Sequence, residues 1–218
     1  AAASCKEDDD ADIAMIRTDK TMQDIMSDLG ATSHIAFLSG SKADNFRYKV
    51  APDYKANRIT MVRPVHLEAA KQFLVTQWGA HVCVGCEADD GLGIAQKEDG
   101  TIICSIDKDL LQVPGWHYNF VKKERRHIDP LTGLKNFYTQ LLTGDTSDNV
   151  IGLKGIGPVK ATKILDSVPS TDWYSACLEA YNNDVERMHK NAKLLWIWRE
   201  ENDVWNYPCN TEEEDLTL

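Results

Sequence analysis

Three groups of carboxylates stand out by type and spacing. Glu87-Ala88-Asp89-Asp90 follows the apolar run His81–Val84, and Asp107-Lys108-Asp109 closes the apolar run Thr101–Ile106. The third group is the pair Asp145 and Asp148, within Gly144-Asp145-Thr146-Ser147-Asp148-Asn149. Spacing i, i+3 on a turn or helix start puts that pair on one side. If both apolar runs are parallel strands, the first two groups sit at their carboxyl ends, where open α/β sheets bind ligands. Seven carboxylates on one rim repel: at ~4 Å and an effective dielectric of ~20, each like-charged pair costs about 4 kcal/mol. A fold tolerates that when cations bind there. Hard oxygen donors suit Mg²⁺ or Mn²⁺ rather than zinc. Seven acids exceed the needs of one ion, so two ions roughly 3.5–4 Å apart are expected, an arrangement suited to phosphodiester hydrolysis. The plainer reading of any one group is a solvated acidic loop.

A second signal is Leu153-Lys154-Gly155-Ile156-Gly157-Pro158-Val159-Lys160-Ala161. Its glycines permit a tight turn and close backbone approach to a ligand. Pro158 suits the first turn of the next helix, whose free N–H groups and dipole favour a phosphate. Lys154, Lys160 and Lys163 add charge. A lone GxG is weak. A GIGPxxA turn between two short helices reads as a helix-hairpin-helix gripping a nucleic-acid backbone through Lys154, Gly155, Ile156, Gly157 and Lys160. A plain helix-turn is the alternative.

Net charge alone argues against a polyanionic partner, because the 218 residues sum to −10. The distribution reverses that reading. Residues 1–30 hold eight acids and three bases, residues 200–218 hold seven acids and no base, and the remainder is +2. Within residues 42–63, Lys42, Arg47, Lys49, Lys55, Arg58 and Arg63 face only Asp44 and Asp53. That basic segment is a candidate nucleic-acid contact. The run Glu212-Glu213-Glu214-Asp215 reads as a solvated face.

The elements that must position these groups follow from periodicity. Met22, Ile25, Met26 and Leu29 mark a helix over 20–29 that Gly30 stops. His34–Leu38 reads as a strand, 39–63 as loop and irregular helix, and 65–78 as a helix buried through Leu67, Ala70, Phe73, Leu74 and Trp78. His81–Val84 is a second strand, Ala88–Gln96 a weak helix, and Thr101–Ile106 a third strand buried on both faces. Strands alternating with helices imply an α/β fold with a mostly parallel twisted sheet flanked by helices. After a soft boundary near 128–132 the chain turns helical: 134–142, two helices around the glycine turn in 150–166, and an amphipathic helix over 184–199 carrying Trp196 and Trp198. This divides the chain into a core domain, 1–130, and a helical region, 131–218. No apolar run reaches the ~20 residues a membrane helix needs. Cys5, Cys83, Cys86, Cys104, Cys177 and Cys209 do not form a disulfide framework, and Cys83-Val-Gly-Cys86 lacks a second pair at zinc spacing. A reducing, cytoplasmic compartment is expected.

Four segments, in order, resemble the flap endonuclease / 5′–3′ exonuclease family, which includes the 5′-nuclease domain of bacterial DNA polymerase I. They are Asn45-Phe46-Arg47 with Pro52-Asp53-Tyr54-Lys55-Ala56-Asn57-Arg58, then Glu87-Ala88-Asp89-Asp90, then Ser105-Ile106-Asp107-Lys108-Asp109-Leu110, then Gly144 to Asn149 running into Gly155-Ile156-Gly157-Pro158. The resemblance implies that Glu87, Asp89, Asp90, Asp107 and Asp109 bind metal and that Asp145 and Asp148 serve a second metal. It implies that Lys55 and Arg58 belong to a helical gateway near the scissile phosphate, and that the glycine turn holds duplex DNA with a bridging K⁺. It implies a PIN-like core and Mg²⁺-dependent hydrolysis near a 5′ end or flap, with Asp89, Asp107, Lys55 and Arg58 as catalytic groups and Arg47 among the DNA contacts. A monomer that meets DNA ends, flaps or junctions, and a replicative polymerase as protein partner, follow from the same resemblance; for a viral protein the compartment is the host cytoplasm.

The match departs from the family in three places. Family members begin with a strand bearing a metal-binding Asp; this sequence begins in what resembles the segment after that strand, and no apolar strand leads into Asp8-Asp9-Asp10, so either residues upstream supply the strand or the chain lacks one ligand and a central strand. Relatives carry an Asp just after the strand equivalent to 34–38; here Ser39-Gly40-Ser41-Lys42-Ala43 intervene before Asp44, a candidate replacement or a plain turn acid. The stretch from Arg58 to Glu87 is short for a closed arch. Two rival readings remain: a DNA-junction binder that does not cleave, and a PIN-type RNase. A haloacid-dehalogenase-type phosphatase fits poorly, because no DxDx[TV] strand end is present.

Overall fold

A computed structural model describes residues 5–6, 8–97 and 100–206. Cys209 and the acidic run at 212–215 lie outside the described residues. The first helix, α1, spans Ala11–Leu29, 19 residues and nearly twice the 20–29 span its apolar stripe suggests. Asp10 sets the start: its carboxylate accepts from the N–H of Asp12 at 3.0 Å, an N-cap that the Asp8-Asp9-Asp10 run supplies. Gly30 ends the helix in the left-handed region, φ 58°.

Strand β1, Phe37–Ser39, pairs in parallel with β2, His81–Cys83. Between them lie the short helix α2, Phe46–Val50, a 3-10 turn at Ala56–Arg58, and α3, Leu67–Trp78. Helix α3 packs on α1; Trp78 Nε1–H donates to Asp19 at 2.9 Å. Helix α4, Ala88–Ala95, leads to β3, Ile102–Cys104. Gly91 lets α4 lie on the first pair, since a Cβ there would meet the Phe37 ring at 2.6 Å. Strand β3 pairs in parallel with β4, Gly115–Asn119, which turns back antiparallel into β5, Glu124–Ile128.

The α/β class and the parallel pairings stand as expected. The described strands fall into separate ladders, β1-β2, β3-β4-β5 and a two-residue pair, rather than one continuous sheet. The third strand is also less enclosed than its unbroken apolar sequence suggests. Ile103 is buried, but Ile106 is 59% exposed because the chain has already left the ladder at Ser105.

Helix α5, Pro130–Thr143, carries Phe137, Leu141 and Leu142 into the main core. The expected helix before the glycine turn is absent. Residues Val150–Ile151 (β7) instead pair with Gly144–Asp145 (β6), and Leu153 N–H donates to Leu142 O at 2.9 Å. The hairpin unit is therefore α5, a short ladder, the glycine turn, and α6, Pro158–Asp166. Helices α7, Trp173–Ala180, and α8, Val185–Leu195, complete the layer. Helix α8 stops before 196–199, which the sequence reading had included. Its outgoing polar groups are taken by distant partners: Arg47 donates to the carbonyls of Leu194 and Trp196, and Ile197 N–H donates to Gln112 Oε1. Trp196 and Trp198 are buried. The main core draws Ala51, Tyr54 and Cys86 together with the helices after residue 130, so packing joins the two sides of the soft boundary.

Candidate active site

The chain brings the three acid groups to one cleft, lined by Tyr54, Glu87, Asp89, Asp109, Asp145 and Asp148, with Asp107 beside them. Local structure aims them. Glu87 and Asp90 cap α4 reciprocally, and Asp90 Oδ2 accepts from Glu87 N–H at 2.8 Å. Asp107 is turned by its own N–H bond to Ser105 Oγ, and its carboxylate accepts from Asp109 N–H at 2.9 Å. Asp145 accepts from both the N–H and the hydroxyl of Ser147 at 2.7 Å.

The seven acids divide into three classes. Glu87 and Asp148 are matched by cations. Lys55 Nζ lies 2.6 Å from Glu87 and 3.4 Å from Asp148, and Arg58 pairs with Asp148. The Tyr54 hydroxyl, within reach of both carboxylates, lies 3.1 Å from Glu87 and 2.7 Å from Asp148. Burial, with the Glu87 charge next, pushes that phenol far above its ordinary range, so it stays a donor. Lys55 sits in the left-handed region at φ 56°, and its N–H donates to Asp148 O, which locks the segment against the 144–149 turn.

Asp90 forms the second class and corrects the metal assignment. It is fully buried and makes a bidentate pair with Arg47 at 2.5 and 2.9 Å; Oδ1 also accepts from Trp198 N–H at 3.1 Å. Both oxygens are committed to internal partners, so Asp90 is a strut and not a ligand facing the cleft. Arg47 is likewise no DNA contact. It is buried, and its remaining donors go to Leu194 O and Trp196 O. Burial opposes its charge, but Asp90 more than compensates and holds it firmly protonated.

Asp89, Asp107, Asp109 and Asp145 form the third class. Among the described residues none of them makes an ion pair with a lysine or arginine. Burial, then Asp107 and Glu87, push Asp89 up to about 6. Burial, then Asp107 and Asp145, push Asp109 up to about 7. Burial also pushes on Asp145, but the Ser147 bonds outweigh it and leave that acid low. A partly buried, all-oxygen, like-charged set, with Asp107 at its exposed edge, fits a hard divalent cation. The four are not gathered into a ready cage: among the described residues no three His, Cys, Asp or Glu side chains already close around one point.

Asp44 is exposed on the turn before α2 and does not line the cleft. The position against the start of α4 is held by Ser39, whose Oγ accepts from Ala88 N–H at 3.0 Å. Lys154, Gly155, Gly157 and Lys160 are exposed around the turn, Gly155 at φ 76°, while Ile156 packs against the core. Sequence reading missed Tyr54, Ser147 and Asn45, whose amide donates to Glu87 Oε1 at 3.1 Å, as site-shaping residues. Tyr54 carried a signal, lying next to Lys55 in the basic segment. Cys83 and Cys86 neighbour each other without a disulfide, and burial pushes the Cys86 thiol up to about 12, so the pair acts as packing.

The family model for the 5′-3′ exonuclease N-terminal resolvase-like domain matches residues 4–138. The chain belongs to that family. It is 26% identical over 211 residues to a DNA polymerase I of Borreliella burgdorferi, covering 85% of this chain and 22% of that one. It is 30% identical over 180 residues to a 5′-3′ exonuclease of Mycoplasma genitalium, covering 71% and 61%. The chain thus spans about a fifth of the polymerase and under two thirds of the exonuclease. Its fold matches a bacteriophage T5 protein co-crystallised with metal ions, with a TM-score of 0.68, 19% identity, and coverage of 84% and 82%. A T5 flap endonuclease complex with DNA and metal ions gives a TM-score of 0.64 at 18% identity, covering 84% and 80%.

Proposed function

We propose that the chain is a divalent-metal-dependent, structure-selective 5′ nuclease that hydrolyses DNA phosphodiesters near 5′ ends or 5′ flaps. The observation that carries this reading is the convergence of Asp89, Asp107, Asp109 and Asp145 without cationic partners, beside Glu87 and Asp148 that have them. Family membership supports the same chemistry. Asp89, Asp107, Asp109 and Asp145 would hold Mg²⁺ or Mn²⁺, two ions for so many oxygens, with Glu87 and Asp148 at the margin. Bound there, the ions would supply Lewis-acid activation of water and of the phosphodiester.

The chain's own residues do the rest. Arg58, half-exposed at the cleft mouth, and Lys55 behind it can shift from Asp148 toward an incoming phosphate and offset the charge that grows on it. Tyr54 keeps Glu87 and Asp148 oriented while that exchange occurs. The exposed glycine turn with Lys154 and Lys160, at the start of α6, would hold the duplex backbone, with K⁺ as a candidate bridge. Water would add to phosphorus and give up a proton, the P–O3′ bond would break, and the departing O3′ would take up a proton, leaving a 5′-phosphate on one product and a 3′-hydroxyl on the other.

DNA is the proposed partner, and a polymerase is proposed as the protein partner because relatives include DNA polymerase I. A monomer in the cytoplasm is proposed with it; among the described residues no helix is long and apolar enough to cross a membrane. A second reading, a DNA-junction binder that does not cleave, is favoured by one observation: Ser39, not an acid, stands against the start of α4. Cleavage of a 5′-labelled flap duplex, with Mg²⁺ or EDTA, separates the two. The nuclease reading expects product only with metal, and none from Asp89→Ala. Tight binding without product in any divalent ion would favour the binder. Preferential cleavage of RNA would favour the PIN-type RNase.

A further inference from the structure

We infer that the β4–β5 hairpin is a further contact for the DNA backbone, separate from the glycine turn and from the 42–63 segment. The inference rests on DNA being the substrate. Residues 122–127 read Lys-Lys-Glu-Arg-Arg-His, four fixed cations to one acid in a chain of net charge −10. Every residue from Val121 to His127 is exposed.

Register places this cluster. Strand β4 runs parallel to β3, and Ser105 N–H donates to Tyr118 O at 3.1 Å. Strand β4 therefore leaves the ladder at the rim where β3 delivers Asp107, and the turn projects beyond that rim. The turn is built, not loose. Asn119 Oδ1 accepts from Val121 N–H at 3.1 Å and Lys122 N–H at 2.9 Å, and Lys123 takes the left-handed conformation, φ 56°. Tyr118 O–H donates to Asp28 at 2.7 Å, which ties the hairpin to the end of α1.

The cations are held with little internal neutralisation. Asp28 meets Lys123 at 3.3 Å, yet that lysine side chain remains 67% exposed. Glu124 meets Arg126 at 3.5 Å, an exposed pair of small worth. The Arg125 guanidinium lies over the Trp116 ring at 4.5 Å, and His127 meets the same ring edge-on at 5.1 Å. A cation on an aromatic face is oriented without a counter-ion and keeps its N–H donors for a phosphate. Among the described residues no carboxylate pairs with Lys122 or Arg125.

Edge strands also carry charge simply to block strand pairing. That accounts for Arg125 and Arg126. It does not account for Lys122 and Lys123, because the ladder ends at Asn119 and Glu124 and the lysines stand outside it.

The test measures flap-duplex affinity against salt, in EDTA, for the whole chain and two double variants. The charge reversal Lys122→Glu with Arg126→Glu is expected to weaken binding on the order of 10-fold and to flatten the salt slope by about 1–2, since each backbone phosphate contributes about 0.9. With Mg²⁺ and saturating DNA, turnover is expected to stay within about twofold. The charge-conserving pair, Lys122→Arg with Arg126→Lys, is expected to restore affinity and slope. Unchanged affinity and slope in the reversal variant overturn the inference, and aggregation of that variant at unchanged affinity assigns the charges to edge protection. Failure of the conserving pair to restore binding also overturns it. Lys160→Ala runs beside them: if it weakens binding and the hairpin reversal does not, only the hairpin falls. If the unaltered chain does not bind DNA, the hairpin and the nuclease reading fall together.

Discussion

The helical half and the strand layer of this molecule are built to different standards. After residue 130, Phe137, Leu141, Leu142, Leu165, Met188 and Cys177 are fully buried in one continuous cluster. Among the described residues the strand layer has a small cluster of Ile103, Leu110 and Val113, joined by Ile197 from beyond α8. Its strand β2 leaves Val82 52% exposed, and Val84 just after it is 82% exposed. Parallel strands are normally covered on both faces, so this layer draws little stability from its own packing. It nevertheless carries Asp89, Asp107 and Asp109, three of the four acids without an ion-pair partner, and Asp145 faces them from the helical half. The contrast teaches that the helical half supplies the free energy that lets the rim hold repelling charge. The Arg47–Asp90 pair is the joint, because it binds α2 and α4 to the carbonyls of Leu194 and Trp196 and the N–H of Trp198, in the last turn of α8 and just beyond it.

The comparison can be broken at that joint first. Asp90→Ala leaves a buried guanidinium unpaired, and chemical denaturation should show a loss of about 3–5 kcal/mol. If the loss is within about 0.5 kcal/mol, the two regions are not coupled there. Within the helical half, Leu141→Ala should cost about 2–5 kcal/mol. Val84→Ala in the strand layer should fall within about 0.5 kcal/mol. Equal costs at the two sites would erase the contrast.

The acid rim adds a pH signature. Asp89 and Asp109 have folded values near 6 and 7, above the ordinary carboxylate value of 3.8. Between those limits the folded state holds protons that the unfolded state has lost. This contribution is therefore present at low pH and is lost as pH rises from about 4 through 7. Thermal unfolding in EDTA should show the decline, and Asp109→Asn should flatten it. A modest effect belongs to α1, which sits outside the main core: Asp10→Ala should cost about 1 kcal/mol through loss of its N-cap.

Much of the site was legible because its chemistry is local. Carboxylates after apolar runs, and a glycine turn before Pro158, announce themselves within ten residues. Helix α5 and the stop at Gly30 were legible for the same reason. The misreadings come from long-range partners. Asp90 looks like its neighbour Asp89, and only Arg47, 43 positions away, and Trp198 turn it into a strut. Helix α8 ends where Arg47, 147 and 149 positions distant, takes its carbonyls. The β4–β5 hairpin escaped notice because an exposed edge strand of charges has no apolar alternation to betray it.

The central claim is that Asp89, Asp107, Asp109 and Asp145 form the divalent-cation site and that Asp90 does not. Calorimetric titration of Mn²⁺ into the whole chain tests it without relying on cleavage. Two ions per chain are expected, with uptake sharply weakened in Asp107→Asn and in Asp109→Asn. Uptake unchanged in both variants, or no uptake by the unaltered chain, would contradict the account.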